Sequence, residues 1–162
     1  MNKIDISLLN DMFYIKNDRL YYKMYIGGKS VKDNEVGNIS DGYRKTKIKG
    51  KKFAVHRIIW AMYYNKWTDG DIDHIDGNGL NNAIENLRDA TTSQNMMNRV
   101  INSNNKSGIK GVSWDKVKEK WRAQICINRK VKYLGLFSDI KDAECAVKCS
   151  RRNLHGEFYN DG

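Results

Sequence analysis

The ten residues DIDHIDGNGL (71–80) place Asp71, Asp73 and Asp76 around His74 and end in a Gly-Asn-Gly turn. The rest of the 162-residue chain is strongly basic, with 29 Lys and Arg against 19 Asp and Glu and a net charge of +10. The segment therefore either balances a basic fold as solvated acids or surrounds a cation.

The charge is divided into three blocks along the chain. Residues 29–57 carry nine basic and three acidic side chains, and residues 106–132 carry nine basic and two acidic ones. Between them, residues 67–95 carry six acids and a single base, Arg88. Basic blocks are typical of proteins that bind phosphate backbones, so we expect a nucleic-acid partner. A divalent cation in the acidic centre would keep that block from repelling the same phosphates.

Other features limit the class of protein. No apolar run reaches membrane-spanning length, so no membrane partner is expected. The first residues, MNKIDISLLND, have acids where a signal peptide needs an apolar core, which favours a cytoplasmic protein. Cys126, Cys145 and Cys149 form neither a CxxC pair nor a Cys/His pair, so neither structural zinc nor a disulfide framework is expected.

Local patterns predict an α+β chain. Two β-rich runs around Asn17-Asp18 predict a hairpin, and residues 41–56 repeat the pattern with a break at Lys49-Gly50. A short amphipathic helix follows, with an apolar face of Val55, Ile58, Ile59, Met62 and Tyr63. Thr91 and Gln94 have the spacing of a capping box that starts another helix. Three strand-like runs then precede a closing helix with Ser138 as N-cap and Ile140, Ala143, Ala146, Val147 and Leu154 as its apolar face.

The acidic centre has the groups that phosphodiester hydrolysis needs. A calcium loop starting at Asp71 is excluded, because Ile75 and Asn82 stand where oxygen ligands are required. Asp73 and the amide oxygen of Asn95 can bind a hard cation, and His74 can accept a proton from water near neutral pH. Neighbours on a strand point to opposite faces, so Asp73 and His74 act together only where the strand is distorted.

These residues carry a family resemblance. The chain resembles the HNH endonucleases, particularly the phage and intron-encoded homing type, in three short segments: IDHIDGN (72–78), ENL (85–87) and SQN (93–95). The resemblance implies a ββα-metal fold in which Asp73 and Asn95 hold one Mg²⁺ or Mn²⁺, His74 is the general base and Asn86 orients its imidazole. It also implies 5′-phosphate and 3′-hydroxyl products. Family members often have Asp-Asn-Arg near 81–83, whereas this chain has Asn81-Asn82-Ala83, so a supporting Arg contact is missing.

The C-terminal segment carries a second resemblance. It resembles the Apetala/ethylene-response type of DNA-binding domain in the run KSGIKGVSWDKVKEKWRAQICINRKVKYLGLF, which is followed by DAECAV and NLHGEF. That resemblance implies a three-stranded antiparallel sheet laid in the major groove with one helix packed behind it. The residues expected to contact DNA from this sheet are Lys110, Trp114, Lys116, Arg122, Gln124, Arg129, Lys130 and Lys132. The N-terminal hairpins are expected to add backbone contacts through Arg44, Lys45, Lys47, Lys51 and Lys52.

Together these patterns predict an N-terminal hairpin region (1–52), an HNH nuclease region (53–100), a linker (101–106) and a DNA-binding region (107–162). The predicted function is a metal-dependent endonuclease that nicks double-stranded DNA as a monomer or weak dimer, in the host-cell cytoplasm if a phage encodes it. The role of His56 stays open between packing and contact with phosphate. A DNA-binding regulator with an inactive HNH scaffold is the alternative, and an RNA-directed role is weaker because the aromatic pattern of common RNA-binding sheets is missing.

Overall fold

Short antiparallel hairpins and small helices make up the chain. The structure, a computed structural model, describes residues 3–23, 32–128 and 130–161. Helices alternate with small antiparallel sheets, so the α+β class is confirmed. The chain divides into two compact units, Met1–Asp89 and Ala90–Gly162, and each has an apolar core of its own.

The first unit begins with a helix and two small sheets. Its elements up to residue 64 are α1 (Ile6–Met12), β1 (Phe13–Lys16), β2 (Arg19–Tyr22), β3 (Asn38–Ser40), β4 (Tyr43–Ile48), β5 (Lys51–Ala54) and α2 (Val55–Tyr64). Asn17 and Asp18 both have positive φ, at 47° and 60°, which matches a two-residue turn that follows the twist of its strands. The hairpin predicted at this position is confirmed. A second turn, at Lys49 and Gly50, joins β4 to β5 as predicted.

The core of the first unit forms around α2. Leu9 of α1, Phe13 of β1 and Leu20 of β2 are fully buried in one cluster with Ile58 and Ile59 of α2. The apolar spacing from Val55 to Met62 therefore predicted the packed face correctly. Tyr63 was wrongly assigned to that face: it is 62% exposed, because Trp60 and Ala61 are buried on the side of the helix that faces the core.

The acidic segment forms a two-stranded sheet. β6 (Asp71–His74) pairs with β7 (Leu87–Ala90), and a one-turn 3₁₀ helix (Ile84–Asn86) precedes β7. Three successive residues of β6, from Ile72 to His74, are buried, so both faces of this short strand are covered. The strand ends in a turn in which Gly77 (φ 73°) donates its N–H to the His74 carbonyl oxygen. His74 thus stands where strand becomes loop.

The second unit contains α3 (Thr92–Asn98), β8 (Val112–Asp115), β9 (Lys120–Ile127), β10 (Lys130–Phe137) and α4 (Ile140–His155). The strands form one antiparallel sheet with β9 in the middle, and Ala143 and Val147 of α4 pack on Val112, Ala123 and Ile125. The capping box between Thr91 and Gln94 is confirmed.

Two details of α4 were predicted wrongly. Asp139, not Ser138, is the N-cap, and its carboxylate accepts from the Lys141 N–H. Leu154 is 43% exposed, because Arg151 and His155 take the buried positions in the last turns of the helix.

The division between the units falls inside the region predicted to be the nuclease. β6, the 3₁₀ turn and most of β7 belong to the first unit, whereas α3 belongs to the second. Within the predicted linker, the Asn105 carboxamide oxygen accepts from Ser107 and Gly108, which gives this segment a defined turn. The joint ββα arrangement and the predicted domain bounds stay predictions.

Candidate active site

A buried carboxylate and a buried imidazole lie side by side at the end of β6. Asp73 and His74 are 4% and 5% exposed. The Asp73 Oδ2 accepts from Arg88 Nε at 2.8 Å and pairs with its Nη2 at 2.7 Å, across the two-stranded sheet. A buried charge held this way is compensated and oriented. This role of Arg88 was not predicted, although Arg88 is the only base among six acids between residues 67 and 95.

His74 is oriented by Asn82. Its Nε2 lies 3.1 Å from the Asn82 Oδ1, and both side chains are buried. An amide oxygen only accepts, so Nε2 carries the proton and Nδ1 presents the lone pair. The ring nitrogen able to act as a base is therefore Nδ1. No pattern in the sequence indicated this pairing, because Asn82 stood out only as part of a departure from the family pattern.

Asn86 has a different role from the one the resemblance implied. Its Nδ2 donates to Asp76 Oδ1 and to the Asn81 carbonyl oxygen, both at 2.9 Å, and its Oδ1 accepts from the Asp76 N–H at 3.0 Å. The 3₁₀ turn directs this carboxamide into the loop that follows His74. The assignment of Asn86 as the residue that orients His74 is corrected: Asn82 makes that hydrogen bond, and Asn86 fixes the loop.

Asp76 is the centre of that loop. It accepts from the Asn78 N–H at 2.8 Å and from Asn81 Nδ2 at 2.7 Å, in addition to its bonds with Asn86. Partial burial raises the Asp76 pKa, but hydrogen bonds from Asn81, Asn78 and Asn86 outweigh burial and keep the pKa below its usual value. Asp76 is therefore a structural carboxylate that holds the path of the chain after His74.

Two more rings pack around His74. The His56 ring centroid lies 4.8 Å from that of His74 with the rings nearly perpendicular, and the Tyr43 ring lies 5.7 Å from His74 and 5.6 Å from His56. His56 is buried, and its Nδ1 has no hydrogen-bond partner in the described part of the chain. Burial, with smaller effects of His74 and Arg57, lowers the His56 pKa to about 3. His56 is therefore a neutral imidazole at neutral pH.

The basic residues predicted on the N-terminal hairpins divide between two faces. Lys45 and Lys47 lie on the same side of β4 as Tyr43, whereas Arg44 lies on the other side and is held within the fold. It donates to the Gly37 carbonyl oxygen at 2.7 Å and pairs with Glu35 at 3.1 Å. Arg44 thus has a structural role, and its contact with DNA stays a prediction.

The lysines of β5 also point in opposite directions. Lys52 pairs with Lys47 in the register of the two strands, so these side chains share a face. Lys51 pairs with the buried Ile48 and is therefore on the opposite face. Only Lys52 can join Lys45 and Lys47 in one surface.

Two of the residues predicted to read DNA in the second unit are placed elsewhere. Lys110 donates to the carbonyl oxygens of Met97 and Asn160, both at 2.9 Å, and burial, with Arg151 nearby, lowers its pKa to about 8. It holds the unit together. Trp114 pairs with Trp121 in an edge-to-face contact with 5.0 Å between ring centroids. This register puts Trp114 on the helix-side face, the face of the sheet that α4 covers.

The opposite face, here called the outer face, carries Arg122 and Gln124 with the unpredicted Tyr133. Tyr133 pairs with Gln124 and is 56% exposed, and Arg122 is paired with Asp115 at 2.5 Å. Lys130 and Lys132 pair with Ile127 and Ile125, so they point to the helix side while staying exposed at the edge strand. Lys116 is exposed in the turn after β8, and Arg129 lies outside the described residues.

The donor chemistry at His74 fits a hard divalent cation. Asp73 supplies a carboxylate, and the amide of Asn95 on α3 supplies the second predicted oxygen ligand. Asn95 belongs to the second unit, so its joint action with Asp73 stays a prediction. Within the described ranges no group of three or more His, Cys, Asp and Glu could hold a metal.

None of the helices in the described ranges is long and apolar enough to cross a membrane.

A family model and two known proteins match parts of the chain. Residues 53–97 match the family model described as HNH endonuclease. The chain is 40% identical over 87 residues to Protein 3.8 of Escherichia phage T7, an alignment that covers 54% of this chain and 71% of that protein. It is 35% identical over 115 residues to an uncharacterized HNH endonuclease of Acanthamoeba polyphaga mimivirus, covering 66% of this chain and 56% of that protein. No solved structure matches the chain.

Proposed function

The chain belongs to the HNH endonuclease family and is a nuclease, and we propose that it hydrolyses one phosphodiester bond of double-stranded DNA with a divalent metal. The observation that carries this proposal is the buried pair Asp73 and His74 at the end of β6, in which Asn82 holds the His74 Nε2 at 3.1 Å. A net charge of +10 favours a polyanionic substrate.

The roles follow from the contacts. Asp73 and Asn95 would hold one Mg²⁺ or Mn²⁺, and Arg88 orients the Asp73 carboxylate. His74 Nδ1 accepts the proton of the attacking water, and Asn82 accepts from Nε2–H, which stabilises the charged imidazolium that results. A bound cation supplies polarisation of the scissile phosphate and stabilisation of the departing 3′ oxygen. The products would be 5′-phosphate and 3′-hydroxyl ends.

The finer features of the activity are also proposals. One site per chain cuts one strand at a time, so we expect nicks from a monomer or weak dimer. We propose a homing-type enzyme that acts in the host-cell cytoplasm and whose site is read by the second unit. The outer face of its sheet supports this reading, because Arg122, Gln124 and Tyr133 combine a guanidinium, an amide and an exposed ring on one surface.

The test is to map strand breaks at nucleotide resolution on both strands of phage and host DNA. Reactions contain Mg²⁺, Mn²⁺ or EDTA, and Asp73→Ala serves as the inactive control. We expect breaks in one strand at a defined sequence, only with metal, and nicks that DNA ligase reseals, as 5′-phosphate and 3′-hydroxyl ends require. Breaks that persist in EDTA, or in Asp73→Ala, would contradict the proposed site. Paired breaks in both strands, or nicks that ligase cannot reseal, would contradict the proposed products.

A further inference from the structure

Tyr43 lies against the nuclease site from outside the segment that matches the family. It is the first residue of β4, directly after the turn at Asp41 and Gly42, whereas the family match begins at residue 53. Its ring contacts the rings of both His74 and His56 and is 41% exposed. Tyr43 therefore forms one exposed wall of the site.

The loop after His74 is packed flush against this wall. A Cβ atom added at Gly79 would lie 2.7 Å from two carbon atoms of the Tyr43 ring and 2.5 Å from the Gly42 carbonyl oxygen. Only glycine allows this close approach. The turn between β3 and β4 and the loop after His74 therefore form one continuous surface.

A groove leads away from Tyr43 along the same side of β4. It has a volume of about 660 Å³, and Lys45, Lys47 and Lys52 are among the residues that line it. Side chains two residues apart on a strand share a face, so Tyr43, Lys45 and Lys47 follow one another on the same face of β4. Tyr43 and Lys47 are roughly 14 Å apart along the strand, at about 3.4 Å per residue. Ser40, the register partner of Tyr43, also lines the groove, so the groove begins next to Tyr43.

The charges of the groove indicate an anionic occupant. Lys47 and Lys52 stand directly opposite each other, an arrangement that destabilises a strand pair. Neither forms an ion pair with any residue that the structure describes. The lining acids are already occupied, Asp41 by Lys45 at 2.6 Å and Glu35 by Arg44 at 3.1 Å. A phosphate between the two lysines would relieve their repulsion.

The Tyr43 hydroxyl also has no hydrogen-bond partner among the described residues. We propose that the groove holds the backbone of the DNA strand that is cut, with Lys47 and Lys52 on one phosphate and the Tyr43 hydroxyl donating to another, next to the scissile bond. This inference rests on the proposed nuclease function and extends it to the path of the strand. Tyr43 is then a substrate-binding residue, and its ring also supports His74.

The first test separates the hydroxyl from the ring. Affinity is measured in EDTA with a short synthetic duplex of arbitrary sequence at low salt, because backbone contacts do not depend on sequence. Tyr43→Phe should raise Kd about tenfold, the size of one lost hydrogen bond to a charged group. It should keep the melting temperature, because the ring and its packing stay in place. Tyr63→Phe, at an exposed tyrosine on α2, is the matched control and should leave Kd unchanged.

The second test concerns the groove. Because the two lysines share one phosphate, the double variant Lys47→Ala/Lys52→Ala should lower the slope of log Kd against log salt by about 0.9, and each single variant should lower it by part of that amount. Lys51→Ala removes the same charge from the neighbouring residue on the opposite face of the strand and should leave the slope unchanged. Equal effects of Lys51→Ala and Lys52→Ala would overturn the groove as the path of the strand.

The outcomes also separate this inference from the proposed function. An unchanged Kd in Tyr43→Phe would overturn the contact, even if the wild type cleaves DNA. A raised Kd in Tyr43→Phe, in a protein that cleaves no DNA with either metal, would support the strand path and contradict the nuclease proposal. Tyr43→Ala, which also removes the ring from His74, should lower the cleavage rate at saturating protein as well as affinity.

Discussion

Acid should destabilise the first unit through His56. The side chain is buried, and its pKa is lowered to about 3 in the folded chain, against about 6.5 when unfolded. The fold favours the neutral imidazole, so this stability is complete above pH 6.5 and is lost as the pH falls toward 3. Each pH unit in that window costs about 1.4 kcal/mol, and lowering the pH from 7 to 5 should remove about 2 kcal/mol.

The assay is urea unfolding at pH 7 and pH 5, compared between the wild type and His56→Leu, a non-titrating side chain of similar size. Other groups titrate in both proteins, including His155, whose pKa is also lowered by burial, so their effects cancel in the comparison. The variant should lose about 2 kcal/mol less than the wild type between the two pH values. Equal losses in the two proteins would refute the burial of a neutral His56.

Three substitutions test the contacts around the site. Asn82→Ala should lower the cleavage rate roughly tenfold or more with little change in Kd, since His74 loses the bond that fixes Nε2; an unchanged rate would contradict the orienting role. Arg88→Met removes the guanidinium that pairs with Asp73 and should lower the free energy of unfolding, measured in urea, by about 3 kcal/mol. Adding Asp73→Asn should restore part of that free energy, because it removes the unpaired buried charge. Gly79→Ala should lower the free energy of unfolding by about 1–3 kcal/mol, because the added Cβ atom would clash with the Tyr43 ring. An unchanged melting temperature would contradict this close packing.

Local chemistry in the sequence predicted the elements well. The positive-φ turn at Asn17-Asp18 and the capping box at Thr91 need only neighbouring residues, so the sequence contains all the information that they require. The strands of the second unit were likewise visible as separate β-rich runs. One short motif was enough to single out Asp73 and His74, but their burial was not predicted.

The errors arose where tertiary geometry decides. Asn82 and Asn86 are four residues apart in the same loop, and only the path of that loop determines which one meets His74. Trp114 was assigned to DNA because strand register, which sets the face of every side chain, cannot be read from one strand alone. Lys110 appeared as one more surface cation because the carbonyl groups that bind it lie far from it in sequence.

We propose that His74, oriented by Asn82, is the base of a DNA-cutting site. This role is tested by the single-turnover cleavage rate of wild type and His74→Ala on the same bound DNA, with Mg²⁺ and with Mn²⁺. We expect a rate at least about a hundredfold lower in the variant, while the Kd measured in EDTA stays close to the wild-type value. Equal cleavage rates in the two proteins would contradict it, and so would the absence of cleavage by a wild type that binds the DNA.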